Sequence, residues 1–200
     1  MSNFIASIFM LLLIAIAGCN SQPDRPSHEA KRHATPKLPE PLSITLDNEG
    51  EFANGWSWTL TVGADRSASL EIRAFPDAQK RTFTLTLEQI SGLRSTLKTE
   101  KYFDLGDEYG EVVPGGSTQT ITVQSGEKRK TVKIHFLMNW VHGDTTKLVE
   151  PARAVRVWRY VRQWFDDSDA VDLGRYDQMV LDASATAISD NDPMSNPFTQ

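Results

Sequence analysis

The sequence predicts one small α+β domain: a single antiparallel sheet built from hairpins, with helices covering one of its faces. Three observations predict it. Period-two alternation of apolar and polar residues comes in pairs of runs separated by turn residues, first over Trp56–Val62 and Ser69–Arg73, then over Thr118–Gln124 and Val132–Phe136. A run of helical period lies between the two pairs. A second helical run follows them, opening at Pro151. Hairpins interrupted by helices, rather than strict strand–helix alternation, define an α+β architecture of order β-β-β-(β)-α-β-β-α.

The elements follow in chain order. Ser43-Ile44-Thr45-Leu46 is a short strand. In Trp56–Val62 the residues Trp56, Trp58, Leu60 and Val62 share one face. Gly63-Ala64-Asp65-Arg66 is the turn, and Leu70 and Ile72 point inward on the return strand. Thr82-Phe83-Thr84-Leu85 offers a further short strand. Thr86-Leu87-Glu88-Gln89 has the spacing of a capping box, in which Thr86 and Gln89 each satisfy the other's backbone amide. Leu87, Ile90, Leu93 and Leu97 then recur on one helical face, with Gly92 placed for close packing on the sheet. Tyr102 and Phe103 close this unit.

Ser125-Gly126-Glu127 turns the second hairpin, whose return strand puts Val132, Ile134 and Phe136 inward and Lys133 and His135 outward. Pro151 suits the first turn of a helix, where its missing N–H leaves no bond unmade. That helix reaches Phe165 and buries Val155, Trp158, Val161 and Phe165.

The flanks differ from this domain, which is expected over residues 42–166. Residues 1–18 hold an apolar run from Phe4 to Gly18, too short for the roughly 20 residues of a membrane span. It has the length of a signal-peptide core, although no Lys or Arg precedes it. Ile16-Ala17-Gly18-Cys19 ends the run on the only cysteine in the chain. These four residues resemble a bacterial lipobox, which implies cleavage before Cys19 and lipidation of its thiol. Residues 19–41 form a Pro-rich tether with Pro23, Pro26, Pro36, Pro39 and Pro41. Fully extended it reaches about 70 Å, at about 3.1 Å per residue. Residues 167–200 read as an acidic, partly disordered tail with one short helix over 175–185.

Charge is unevenly spread. The chain carries a net −5, and from Asp166 onward eight aspartates face Arg175 alone. The domain itself is close to neutral, which gives no basis for a nucleic-acid partner.

The core also resembles a family of uncharacterised exported bacterial domains. Phe83-Thr84-Leu85-Thr86-Leu87-Glu88-Gln89 opens its helix, Tyr102-Phe103-Asp104-Leu105-Gly106-Asp107-Glu108-Tyr109 follows it, and Thr118 to Phe136 matches its charged hairpin. The family's early Gly/Cys-Pro-rich motif is absent here. The resemblance implies the fold and assigns no activity.

No sequence signature of a catalytic or cofactor site appears: no Gly-x-Ser-x-Gly elbow, His-Glu-x-x-His pair, phosphate-binding loop or dinucleotide fingerprint. No cofactor or metal is expected. His135 and His142 read as solvated surface residues, and Asp104, Asp107, Glu108 and Glu111 as a solvated loop without the ligand spacing of a calcium hand. Arg153, Arg156, Arg159 and Arg162 drift around their helix and read as a charged outer face. Trp140 and His142, in the loop after the second hairpin, are the candidate binding surface. The expectation is a lipid-anchored envelope protein, outer membrane rather than inner, that binds an envelope protein or glycan. An envelope enzyme acting on glycan or lipid is the alternative.

Overall fold

The computed structural model describes residues 40–50, 57–73, 78–165 and 171–190. The described residues form an α+β fold around one mostly antiparallel sheet of seven strands. In chain order these are β1 (Leu42–Glu49), β2 (Ser57–Val62), β3 (Ser67–Arg73), β4 (Gln79–Thr84), β5 (Glu108–Tyr109), β6 (Thr118–Ser125) and β7 (Lys128–Ile134). They lie in the order β4-β3-β2-β1-β6-β7-β5. Only β5 runs parallel to its neighbour, β7. The two hairpin families read from the sequence therefore meet at β1, which pairs with β2 on one side and β6 on the other.

Register puts the apolar residues on one face. Leu46 stands opposite Leu60 and Ile121, Leu60 opposite Leu70, and Ile121 opposite Val132. All five are buried, while the residues between them are exposed or half-buried. Period-two patterning fixes such a register, because a slip of one residue would turn the whole apolar set outward. Trp58 anchors the centre of this face. Its ring lies 5.1 Å from that of Trp158 and edge-on to Phe165 at 4.9 Å. Trp56, expected on the same face, lies outside the described residues.

The turns use the expected chemistry. Gly126 has φ +58° at the first position of the two-residue turn between β6 and β7, where glycine is favoured. In the turn after β2, the Asp65 carboxylate accepts from the Ser67 amide and hydroxyl, and Arg66 takes φ +71°.

Among the described residues four helices accompany the sheet: α1 (Leu87–Thr99), α2 (Met138–Val141), α3 (Pro151–Arg162) and α4 (Val171–Asp190). The capping box at the start of α1 is complete, with the Gln89 amide donating to Thr86 Oγ1 and the Thr86 amide to Gln89 Oε1. Leu93 and Leu97 are its buried stripe. Leu87, expected in that stripe, is exposed because it sits in the first turn beyond the covered face. Gly92 does permit close packing, but against α3 rather than the sheet: a Cβ there would meet Tyr160 Oη. Pro151 opens α3 as expected, and Val155, Trp158 and Val161 are buried with Phe165 just beyond. Arg153 ties α3 to the end of α1 by donating to the carbonyls of Glu100 and Lys101. The Glu100 carbonyl lies past the last turn of α1, where a guanidinium supplies the donor the helix no longer gives, while the Lys101 carbonyl also accepts the Asp104 amide.

Four further expectations are corrected. The segment read as a tail from residue 167 contains the twenty-residue α4, which runs well past the short helix expected over 175–185. Val180, Ser184 and Ala187 of α4 are buried, and Tyr176 Oη accepts from the Leu137 amide. The acidic count concealed this, because the apolar stripe of α4 is thin and its small residues carry the contact. Glu108 and Tyr109, read as loop, form β5 and extend the sheet beyond β7. His135, read as a solvated outward residue, is buried. Phe136, read as inward on the strand, falls beyond the end of β7 and bridges Glu111, half-buried.

Candidate functional site

Two surfaces of the domain stand out by their chemistry. The first is the outer face of the sheet. Strand alternation that buries Ile44, Leu46, Leu60 and Ile121 turns Ser43, Thr45, Thr59, Thr61, Thr120 and Thr122 to the other side. Threonine suits such positions because its β-branch fits a pleated strand while its hydroxyl stays wet. All six are half-buried or exposed. Two ion-pair links cross the face: Arg73 to Asp47 at 3.0 Å and Lys80 to Glu71 at 2.7 Å. Asp47 also accepts from the Thr59 hydroxyl at 2.5 Å, and the Thr122 and Thr131 hydroxyls meet at 3.0 Å. The result is a flat surface of hydroxyls and paired charges. A shallow depression of about 580 Å³ lies at its β2–β4 end, between Thr61, Ser69, Lys80 and Thr82.

The second surface is a cleft of about 600 Å³ between α1, α3 and α4. Arg156, Arg159 and Arg162 of α3 line it with Tyr160, Phe165 and Leu181. The four arginines of α3, read as spread around the helix, are therefore partly gathered: long side chains swing three of them into one groove. Arg156 Nε holds Glu100 Oε1 at 2.8 Å, and Arg159 Nη1 donates to Gln178 Oε1 at 2.8 Å. Arg162 Nη1 stands 3.6 Å from Asp177 Oδ2.

Asp177 is fully buried, and neither carboxylate oxygen has a close hydrogen-bond partner among the described residues. Burial pushes its pKa up to about 6, with Arg162, Arg159 and the Gln119 side chain pulling the other way. Gln119 and Asn48, paired across β6 and β1 on the inner face, are also buried. Three polar residues thus interrupt the apolar core beside α4. Sequence reasoning missed them. Asn48 and Gln119 sit at apolar-parity positions of their strands, and that parity break was the available signal.

The residues singled out from sequence are distributed as follows. Cys19 lies outside the described residues. Trp140, in α2, is partly buried against the core, with Lys147 Nζ 6.0 Å from its ring centre. His142 caps the C-terminus of α2 and is exposed. Trp140 therefore acts as a packing residue with one wet edge, and His142 stands beside it. His135 does not join His142. Its Nε2 is 2.8 Å from Glu108 Oε1 and its Nδ1 3.1 Å from Thr118 Oγ1. A carboxylate accepts, so Nε2 donates to Glu108, and Nδ1 pairs with the Thr118 hydroxyl, which can donate or accept.

The acidic loop is likewise engaged. Asp107 meets Lys130 at 2.5 Å, and Glu111 accepts from Asn139 Nδ2 at 2.9 Å. No group of three metal-ligating side chains gathers among the described residues. No described helix is long and apolar enough to cross a membrane. No protein-family model matches this chain, and no curated protein does.

Proposed function

We propose that the chain is a lipid-anchored protein of a bacterial cell envelope whose domain binds an envelope protein or glycan. The open hydroxyl face of the sheet carries the binding half of this reading. A seven-stranded sheet packs one face into the core and leaves the other as a broad, flat surface of threonine, serine and paired charges. Such a face offers many weak donors and acceptors over a wide area, which suits an extended polar partner better than a small substrate. The lipobox-like Ile16-Ala17-Gly18-Cys19 supports the anchoring half. One acyl chain holds a protein only marginally, and two or three hold it stably.

Two experiments test the halves separately. Cys19→Ala is expected to abolish incorporation of labelled palmitate and to release the protein from the membrane fraction. Retention of both would remove the anchor reading. Crosslinking in intact envelopes is expected to yield a partner that is lost from a Thr45→Arg/Thr120→Arg variant. Unchanged crosslinks in that variant would remove the sheet face.

The enzyme alternative draws on one observation, the raised pKa of Asp177 beside a cleft. Its geometry fits a structural role better. Asp177 is shielded from solvent, and Glu100, the other carboxylate lining the cleft, is already held by Arg156. Hydrolysis of envelope glycan or lipid that disappears in Asp177→Asn would favour the enzyme.

A further inference from the structure

We propose that the outer sheet face holds a linear acidic glycan, laid across the strands along a continuous row of hydroxyls. The inference rests on the sheet-face reading above and names its ligand: a sugar polymer bearing anionic groups, rather than a protein.

Strand register builds the row. Thr131 stands opposite Thr122, Thr122 opposite Thr45, Thr45 opposite Thr61, Thr61 opposite Ser69, and Ser69 opposite Thr82. Residues directly opposite on neighbouring strands share a face, so β7, β6, β1, β2, β3 and β4 each place one hydroxyl in line. All six residues are exposed or half-buried. With strands about 4.8 Å apart the row is about 24 Å long, a length that several sugar rings of an extended chain fill. Among the described residues no apolar side chain takes an outward position in these strands. A protein interface is built round an apolar, aromatic-rich centre, which this face lacks. A glycan is itself a line of hydroxyls that donate and accept, and it matches the row group for group. At its β4 end the row enters the depression between Thr61, Ser69, Lys80 and Thr82. There the Ser69 hydroxyl oxygen is buried without a hydrogen-bond partner among the described residues. Such a group is costly to leave unpaired, and a sugar hydroxyl entering the depression would pair it.

Charge selects an acidic glycan over an uncharged one. The outward acids nearest the row are already held, Asp47 by Arg73 and Glu71 by Lys80. Glu49, the remaining outward acid of these six strands, lies at the end of β1 opposite Thr118. At the β7 end, Arg129 and Lys133 flank Thr131 on the same face. Both are exposed, and neither has an ion-pair partner among the described residues. Glu108 stands opposite Lys133 but gives its carboxylate to His135. The row therefore offers hydroxyls along its length and two available cations at one end, where the anionic groups of the glycan are met.

Calorimetry on the full chain tests this with oligogalacturonates from dimer to octamer, against malto-oligosaccharides of the same lengths as uncharged controls. Each hydroxyl contact is weak, so affinity is expected to rise with length and to level off once the glycan spans the row. The acidic hexamer is expected to bind about tenfold more tightly than the acidic dimer and than the uncharged hexamer, the second difference fading as salt is added. Thr45→Val/Thr61→Val keeps the side-chain shape and removes two hydroxyls from the middle of the row, and a loss of about fivefold for the acidic hexamer is expected. Arg129→Gln/Lys133→Gln is expected to bring acidic and uncharged glycans to equal affinity. No binding of the acidic glycans, an affinity independent of length, or wild-type affinity in either variant overturns the proposal. Thermal melts confirm that the variants are folded. Should Thr45→Val/Thr61→Val fail to fold, Thr82→Val, at an exposed position, carries the test of the row. An envelope partner that crosslinks to the wild type and is lost from Thr45→Arg/Thr120→Arg, while no acidic glycan binds, overturns the glycan and leaves the sheet face as a protein site.

Discussion

Gly92 of α1 lies directly against Tyr160 of α3: a Cβ on Gly92 would stand 1.9 Å from Tyr160 Oη and 2.8 Å from Cζ. The tyrosine is held there from two sides. Its hydroxyl donates to the Gln89 carbonyl at 3.2 Å, and its ring meets Trp164 edge-on at 5.7 Å. Alanine in place of glycine stabilises an isolated helix by about 1 kcal/mol. Here that gain is offset, because the methyl would push Tyr160 from both contacts. Gly92→Ala is expected to lower stability by about 1–2 kcal/mol in urea denaturation. Tyr160→Phe in the same chain should return part of the loss by removing the atom nearest the methyl. A more stable single variant would show that the two helices can part freely.

The raised pKa of Asp177 makes a signed statement about pH. Its folded value is about 6 and its ordinary value 3.8. Below pH 4 both folded and unfolded chains hold the proton, and the full stability is present. Between pH 4 and 6 the unfolded chain releases it first, so stability falls as pH rises. The loss levels off above pH 6 at up to about 3 kcal/mol, at 1.36 kcal/mol per unit. Asp65, Glu71 and Asp144 have lowered pKa values, through hydrogen bonds to Ser67, Lys80 and Thr146 respectively, and act in the opposite direction. The difference between wild type and Asp177→Asn isolates the Asp177 contribution. The variant is expected to lack the fall between pH 4 and 6. Parallel stability curves for the two proteins would refute this.

Strand parity, turn glycines and the Thr86–Gln89 capping box are local properties, and each was legible because a few neighbouring residues suffice to specify it. The strand pairing around β1 was less so, since nothing in Ile44 or Leu46 says that β6 rather than β3 lies beside it. The arginine cleft was hidden for a different reason. Helical spacing gives the direction of a Cα–Cβ bond, but an arginine reaches several ångströms beyond it, and the acid it meets is chosen by tertiary packing. Asp177 was the least visible of all, one aspartate among eight in a segment whose charge suggested solvent.

His135 is expected to be a stabilising residue. It is buried, and both ring nitrogens are engaged, one by Glu108 and the other by Thr118. These contacts fasten β5 and the start of β6 to the end of β7. His135→Ala removes the ring and both hydrogen bonds, and a loss of about 2–4 kcal/mol is expected. Glu108→Gln leaves the ring in place and changes only an exposed partner, so a change of under about 1 kcal/mol is expected. Chemical denaturation of the two variants checks the contrast. Equal effects would mean that the charge of Glu108, rather than the buried ring, secures this corner.

Ending the chain after Phe165 separates a solvated tail from an integral helix. A solvated tail could be removed without consequence. Removing α4 would instead uncover the surfaces under Val180 and Ala187, leave the Leu137 amide without the Tyr176 hydroxyl, and take Asp177 from Arg162. Burial of one valine is worth about 1.5–3 kcal/mol, and a buried amide that loses its partner costs about 1–3 kcal/mol. The sum is a large part of the roughly 5–15 kcal/mol that holds a typical domain together. The shortened chain is therefore expected to aggregate, or to melt at a much lower temperature than the full chain. Val180→Ala provides a graded version, with an expected loss of about 1–2 kcal/mol. A truncated chain that melts at the wild-type temperature would show that α4 rests on α3 and its neighbours without stabilising them, and Val180→Ala would then be silent as well.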